Sequence, residues 1–176
     1  PTAIHDVLII EPRVFGDERG WFTESFNAQD FSIATGLDIQ FVQDNHSFSR
    51  QWTLRGLHYQ LPPHAQGKLV RVTQGAAYDV AVDIRRDSGT FGQHVGVELS
   101  AENLRLLWIP EGFAHGFSTL SDNTHFLYKT TDYYASAYER CLIWNDVDLN
   151  ISWPAGIEPL ISSKDKLGIV FGSILT

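Results

Sequence analysis

Three residue types able to move a proton or steady a charge stand in short, regularly patterned runs of this chain: His58, Tyr128 and Lys68. His58 lies in Arg55-Gly56-Leu57-His58-Tyr59-Gln60, where strand alternation puts His58 and Gln60 on one face and Gly56 leaves space beside them. Imidazole titrates near neutrality, which suits a general base. The competing reading is a core histidine whose nitrogens are satisfied by hydrogen bonds. Tyr128 shares a face with Phe126 and Thr130, and is either a core aromatic or an acid whose proton is held at neutral pH. Lys68 opens a strand after Gln66-Gly67, as a solvated surface lysine or as the cationic partner of Asp79, a carboxylate among small alanines.

A second run, Pro110-Glu111-Gly112-Phe113-Ala114-His115-Gly116-Phe117, has the Pro-x-Gly-x-x-His spacing of one motif of the cupins, jelly-roll proteins that often bind a metal. Metal-binding cupins also carry a His-x-His pair followed by Glu, and no His-x-His occurs here. One histidine from each motif falls short of the three or four ligands a metal usually takes. The expectation is therefore a cupin shape with no metal.

These side chains need a scaffold of strands. Lys68 to Thr73 puts Lys68, Val70 and Val72 on one face. In Ala77 to Ile84, Tyr78, Val80, Val82 and Ile84 face one way and Ala77, Asp79, Ala81 and Asp83 the other. His94 to Leu99, Arg105 to Ile109 and His125 to Thr130 continue the period of two. One stretch reads as a helix, Ala28 to Thr35, with Asn27 as its cap and Gly36 as its stop. The pattern predicts a mainly β fold, a jelly-roll barrel with one or few short helices, and one domain over residues 1–176. The tail after Trp153 is broken by Pro154, Gly156 and Pro159, and Ser162-Ser163-Lys164-Asp165 reads as a loop; the tail is expected to pack back across the barrel.

The formal net charge of −8 argues against nucleic acid or an anionic membrane as a partner, because both reward basic surfaces. An anionic small molecule answers to a few local cations and stays possible. The single cysteine, Cys141, cannot form an intrachain disulfide and reads as a small half-buried hydrophobe, which suits a reducing cytoplasm. No basic n-region opens the chain and no run approaches a membrane span, so a cytoplasmic protein is expected.

Taken in order, Asp17-Glu18-Arg19-Gly20, Gln43-Asp44-Asn45, the run around His58, Gln66-Gly67-Lys68, Asp79 to Arg85, Ile109 to Phe117, Leu127-Tyr128-Lys129 and Ser163-Lys164-Asp165 resemble the dTDP-4-dehydrorhamnose 3,5-epimerase family of the cupin superfamily. The resemblance implies His58 as base, Asp165 as the carboxylate that orients it, Tyr128 as acid and Lys68 as the cation beside a reacting ketone. It implies substrate contacts at Arg19, Glu24, Gln43, Asp44, Asn45, Arg55, His115, Tyr134, Glu139 and Lys164. No cofactor is implied, and the implied partners are a dTDP-4-keto-6-deoxyhexose substrate and a second copy of the chain in a homodimer exchanging N-terminal strands. The motifs depart from the family at Ser88-Gly89-Thr90, where Ser-Pro-Thr is common, and at Gln93-His94.

The implied reaction explains the residue types. A C–H beside a ketone is acidic because the enolate spreads its charge onto oxygen, so a fixed cation must steady that oxygen while a base takes the proton. Inversion returns a proton from the other face, which requires a separate acid. Arg19 and Arg55 suit a diphosphate, and Phe22 or Tyr134 with Gln43 and Asn45 suit a thymine ring. Rival readings are a metal-dependent cupin, a sugar-nucleotide binding module and an epimerase acting at one carbon only. A regular strand sends Arg55 and His58 to opposite faces, so a bulge or twist at Gly56 is predicted, with a dimer interface as the alternative place for Arg55.

Overall fold

The fold was read from a computed structural model that describes residues 1–154 and 158–174; Gly156 lies outside them. Thirteen strands form in chain order: β1 (Leu8–Ile10), β2 (Val14–Asp17), β3 (Gly20–Thr23), β4 (Gln43–Ser49), β5 (Thr53–Gln60), β6 (Lys68–Gln74), β7 (Ala76–Asp83), β8 (His94–Ser100), β9 (Leu106–Ile109), β10 (Phe113–Thr119), β11 (Thr124–Thr130), β12 (Glu139–Cys141) and β13 (Leu160–Ile161). Between β3 and β4 lies α1 (Ala28–Thr35), with the bounds its sequence predicts. The Asn27 side chain accepts from the Gln29 and Asp30 amides, and Gly36 ends the helix in the left-handed region at φ 72°.

One sheet runs β1-β9-β6-β11-β4 and the other β12-β5-β10-β7-β8, with β13 parallel to β5. The alternation read from sequence holds. Val70, Val72, Leu107, Ile109 and Phe126 of the first sheet meet Ala77, Ala81, Val97, Leu99, Phe113 and Phe117 of the second. Phe117 and Phe126 stack with centroids 3.9 Å apart, joining the sheets at mid-core. Burying each such large side chain stabilises the fold by roughly 1.5–3 kcal/mol.

The expected jelly-roll barrel does not form. Closure needs the outermost strands of the two sheets to share backbone ladders, and among the described residues neither β1 and β4 nor β8 and β12 are joined across the gap. Side-chain packing and side-chain hydrogen bonds, rather than a backbone ladder, hold the sheets face to face. Where β4 stands opposite β5 and β12, the intervening side chains line a cavity instead of a seam.

The tail does return across the second sheet, whose outer face gives Leu57, Val80 and Val82 to a cluster with Leu142, Leu149, Trp153 and Phe171. Within that tail the expected loop at 162–165 is in fact a short helix, α2 (Ser163–Lys166). Its cause is local: the Ser162 hydroxyl accepts from the Asp165 amide at 3.1 Å, satisfying a helix-end donor. The β2–β3 hairpin belongs to neither sheet. It leaves Val14, Phe15, Trp21 and Phe22 between 44% and 64% exposed.

Candidate active site

A cavity of about 420 Å³ opens between the sheets, with β5 and β12 on one wall and β4, β6 and β11 on the other. The first wall supplies Arg55, His58 and Glu139, and the second supplies Gln43, Asn45, Lys68 and Tyr128. His115 from β10 and Lys164 and Asp165 from α2 complete the polar lining.

Arg55 and His58 reach the same cavity because β5 is bulged. His115 pairs with His58 and Phe117 with Arg55, so three steps along β5 oppose two along β10. Gly56 occupies the bulge at φ 127°, and a β-carbon there would stand 2.5 Å from the Gly116 α-carbon. Glycine is required by both conformation and space. The predicted break in alternation is therefore present. Arg55 is fixed from the side by Nε donating to Ser49 Oγ at 3.1 Å and by a second nitrogen donating to the Phe48 carbonyl at 3.2 Å.

His58 Nε2 and Asp165 Oδ1 are 2.8 Å apart, with the imidazole 30% exposed and the carboxylate 5%. A carboxylate can only accept, so Nε2 carries the proton and Nδ1 presents its lone pair. Burial acts to raise the Asp165 carboxyl, but hydrogen bonds from His58, the Gly56 amide and Ser162 outweigh it and hold Asp165 ionised below its usual range. A histidine held in this way by a carboxylate has the geometry of an oriented general base.

Lys68 is buried, and one Nζ–H donates to the His58 carbonyl at 3.3 Å. Burial pushes its ammonium down to about 8, against the pull of Asp79 and Glu139 upward. Tyr128 is shifted the other way: burial raises the phenol, Arg55 lowers it and Glu139 adds to the rise, so its proton stays on at neutral pH. Base and phenol therefore stand on different sheets with the cavity between them.

Asp79 takes His115 as its partner rather than Lys68, with Nε2 to Oδ2 at 2.8 Å. Burial holds His115 below the ordinary imidazole value despite that carboxylate, so the ring is neutral and donates to it. Glu139 accepts from Tyr134 Oη at 2.7 Å and from Lys164 Nζ, which together outweigh the upward push of burial on its carboxyl. Gln43 Nε2 donates to Asn45 Oδ1 at 2.9 Å, while buried Asn45 Nδ2 has no partner among the described residues and remains an unspent donor in the lining.

Three expected contacts are not brought in. Asp44 falls on the outer face of β4, where period two must send it, and pairs with Lys129 at 2.9 Å. Arg19 sits on the β2–β3 hairpin held by Asp17, and Glu24 follows that hairpin; neither lines the cavity of its own chain. Sequence reasoning missed Ser162, although Ser162-x-x-Asp165 has the spacing of a helix cap.

A protein-family model described as dTDP-4-dehydrorhamnose 3,5-epimerase matches residues 1–172. Among curated relatives, the dTDP-4-dehydrorhamnose 3,5-epimerase of Shigella flexneri is 60% identical over 97% of this chain and 93% of its own. Among solved structures, a 3,5-epimerase from Legionella pneumophila in complex with dTDP-4-keto-L-rhamnose has a TM-score of 0.94 at 50% identity, covering 97% of this chain and 90% of that one. A 3'-monoepimerase from Streptomyces bikiniensis, in complex with dTDP-quinovose, has a TM-score of 0.91 at 35% identity, covering 98% and 87%.

Proposed function

The chain belongs to the dTDP-4-dehydrorhamnose 3,5-epimerase family, and on that premise we propose that it inverts C3 and C5 of dTDP-4-dehydro-6-deoxy-D-glucose, giving dTDP-4-dehydro-L-rhamnose for dTDP-L-rhamnose synthesis. The observation that carries the mechanism is the placement of His58–Asp165 and Tyr128 on opposite sheets, with Lys68 in the same cavity.

His58 Nδ1 removes the proton from a carbon flanking the C4 ketone. Charge moves onto the ketone oxygen, where the Lys68 ammonium steadies it; a fixed cation in a dry pocket contributes about 3 kcal/mol to such a step. Asp165 balances the imidazolium formed. Tyr128 then gives its phenolic proton to the enolate carbon from the other side, which inverts the centre. Solvent water takes the imidazolium proton and reprotonates the tyrosinate; because C3 and C5 both flank C4, a small shift of the ring then serves the second centre. Nothing is oxidised or reduced, and the cycle needs no cofactor.

Arg55 and Lys164 supply positive charge for the diphosphate, and Tyr134, Gln43 and Asn45 supply an aromatic face and amide groups for the base. Arg19 and Glu24 are assigned to the site of a second copy, in a homodimer: they sit on a hairpin with an exposed apolar face, away from their own cavity. Among the described residues no helix is long and apolar enough to cross a membrane; the proposed compartment is the cytoplasm.

Turnover of the 4-keto-6-deoxyglucose nucleotide in deuterated water, read by NMR of the product, tests the reading. Deuterium is expected at both C3 and C5. Label at one carbon alone would leave the single-site epimerase.

A further inference from the structure

Cys141 takes no part in the proton transfers above, yet it adjoins them. It is the register partner of His58 across β12 and β5, and directly opposed residues of an antiparallel pair project from one face. One imidazole nitrogen of His58, the Cys141 sulfur and one carboxylate oxygen of Asp165 lie within 4.8 Å of one another. We propose that this trio is a binding site for a borderline-soft divalent cation, zinc above all, which inhibits the enzyme by occupying its base.

Imidazole, thiolate and carboxylate together form a donor set that suits zinc, whereas magnesium and calcium take oxygen ligands. Tetrahedral zinc, with bonds of about 2.0–2.3 Å, holds neighbouring ligands roughly 3.3–3.8 Å apart. The 2.8 Å between His58 Nε2 and Asp165 Oδ1 must widen by about half an ångström, and the sulfur, now within 4.8 Å of the other two ligand atoms, must close on them by side-chain movement. The fourth position is left for water. On binding, the thiol proton leaves to solvent and the ion replaces the proton shared by His58 and Asp165; the ring shifts tautomer, so that Nδ1 carries the proton and no longer offers the lone pair that abstracts from the substrate. Burial and the Asp165 carboxylate push the empty-site thiol up to about 12, so the sulfur rests protonated until a cation displaces its proton.

The test uses the 176-residue chain with Zn²⁺, Co²⁺ and Mg²⁺ salts. Cobalt is expected to give a near-ultraviolet thiolate-to-metal charge-transfer band that zinc abolishes. Zinc should slow epimerisation, with recovery on chelation, and magnesium should do neither. Cys141→Ser leaves the proton-transfer groups in place: it should turn over normally without metal, show no band, and need about tenfold or more zinc for equal inhibition. Cys141→Ala gives the same comparison if serine disturbs packing. Absence of the cobalt–thiolate band in the wild-type protein, or equal zinc sensitivity of variant and wild type, overturns the proposal. The band is read without substrate, so its failure is distinct from a failure of the epimerase assignment.

Discussion

Burial works against the charge that the proposed chemistry needs on Lys68. Its ammonium titrates near 8, so turnover is expected to fall as pH rises through about 8, where the enolate oxygen loses its cation. Stability runs the other way. Between the folded value of about 8 and the ordinary value of 10.5, the unfolded chain binds more protons at this site, so the Lys68 contribution favours folding increasingly as pH rises. Alkaline loss of rate with no matching loss of melting temperature is the signature, measured by pH–rate and thermal-melt series. Lys68→Met should lower turnover about a hundredfold or more and flatten that alkaline limb. Chemistry at this scale was legible in the sequence only as residue type. His58 alone could equally be a core histidine, and the ordered motifs chose between the readings. Lys68 was one of two readings for the charge near Asp79 and does feel it, but the hydrogen-bond partner, His115, was not legible, because only pairing of β10 with β7 brings it opposite Ala81, two residues from Asp79.

At the scale of elements, the two segments that break the simple pattern position the base. Regular alternation makes β6, β7 and β11 readable; β4 was not read as a strand, and its period of two is what excludes Asp44 from the face that carries Gln43 and Asn45. The bulge in β5 was readable because Arg55 and His58 otherwise conflict, and glycine is the residue that resolves such a conflict. Gly56→Ala is expected to cost about 1–3 kcal/mol of stability, from its positive φ and the close Gly116 backbone, and to lower turnover further by displacing His58. Denaturant melts and solvent-exchange rates on one preparation check both effects. α2 was missed because four residues show no helical period; its cap was the available signal. Ser162→Ala should cost about 1 kcal/mol and loosen Asp165, seen as a lower melting temperature and a modest drop in kcat.

Across the whole molecule, the open sandwich is what separates His58 from Tyr128, the base and acid of the proposed mechanism. A closed ladder between β4 and β12 would fill the place where the cavity lies, so the departure from the expected barrel is where the site stands. Sequence periodicity records which face of a strand is buried, not whether two sheets join at their edges, and closure was not legible for that reason. Arg19 and Glu24 pose the same difficulty at the level of assembly, since one chain cannot show where its exposed hairpin goes. Mixing His58→Asn with Arg19→Ala subunits tests it. Each variant should be nearly inactive alone, whereas random exchange in a dimer restores one intact site in each mixed pair, about a quarter of wild-type activity. No recovery on mixing would return Arg19 to its own chain or remove it from the site.

The role of His58 rests on its position against Asp165 at 2.8 Å, in reach of the cavity. The most direct measurement is deuterium entry at C3 and C5 of the substrate in His58→Asn, followed by NMR, with circular dichroism to verify the fold. If His58 is the base, exchange at both carbons falls by about a hundredfold to ten-thousandfold while the spectrum stays native. Near-wild-type exchange in a folded His58→Asn protein would contradict it.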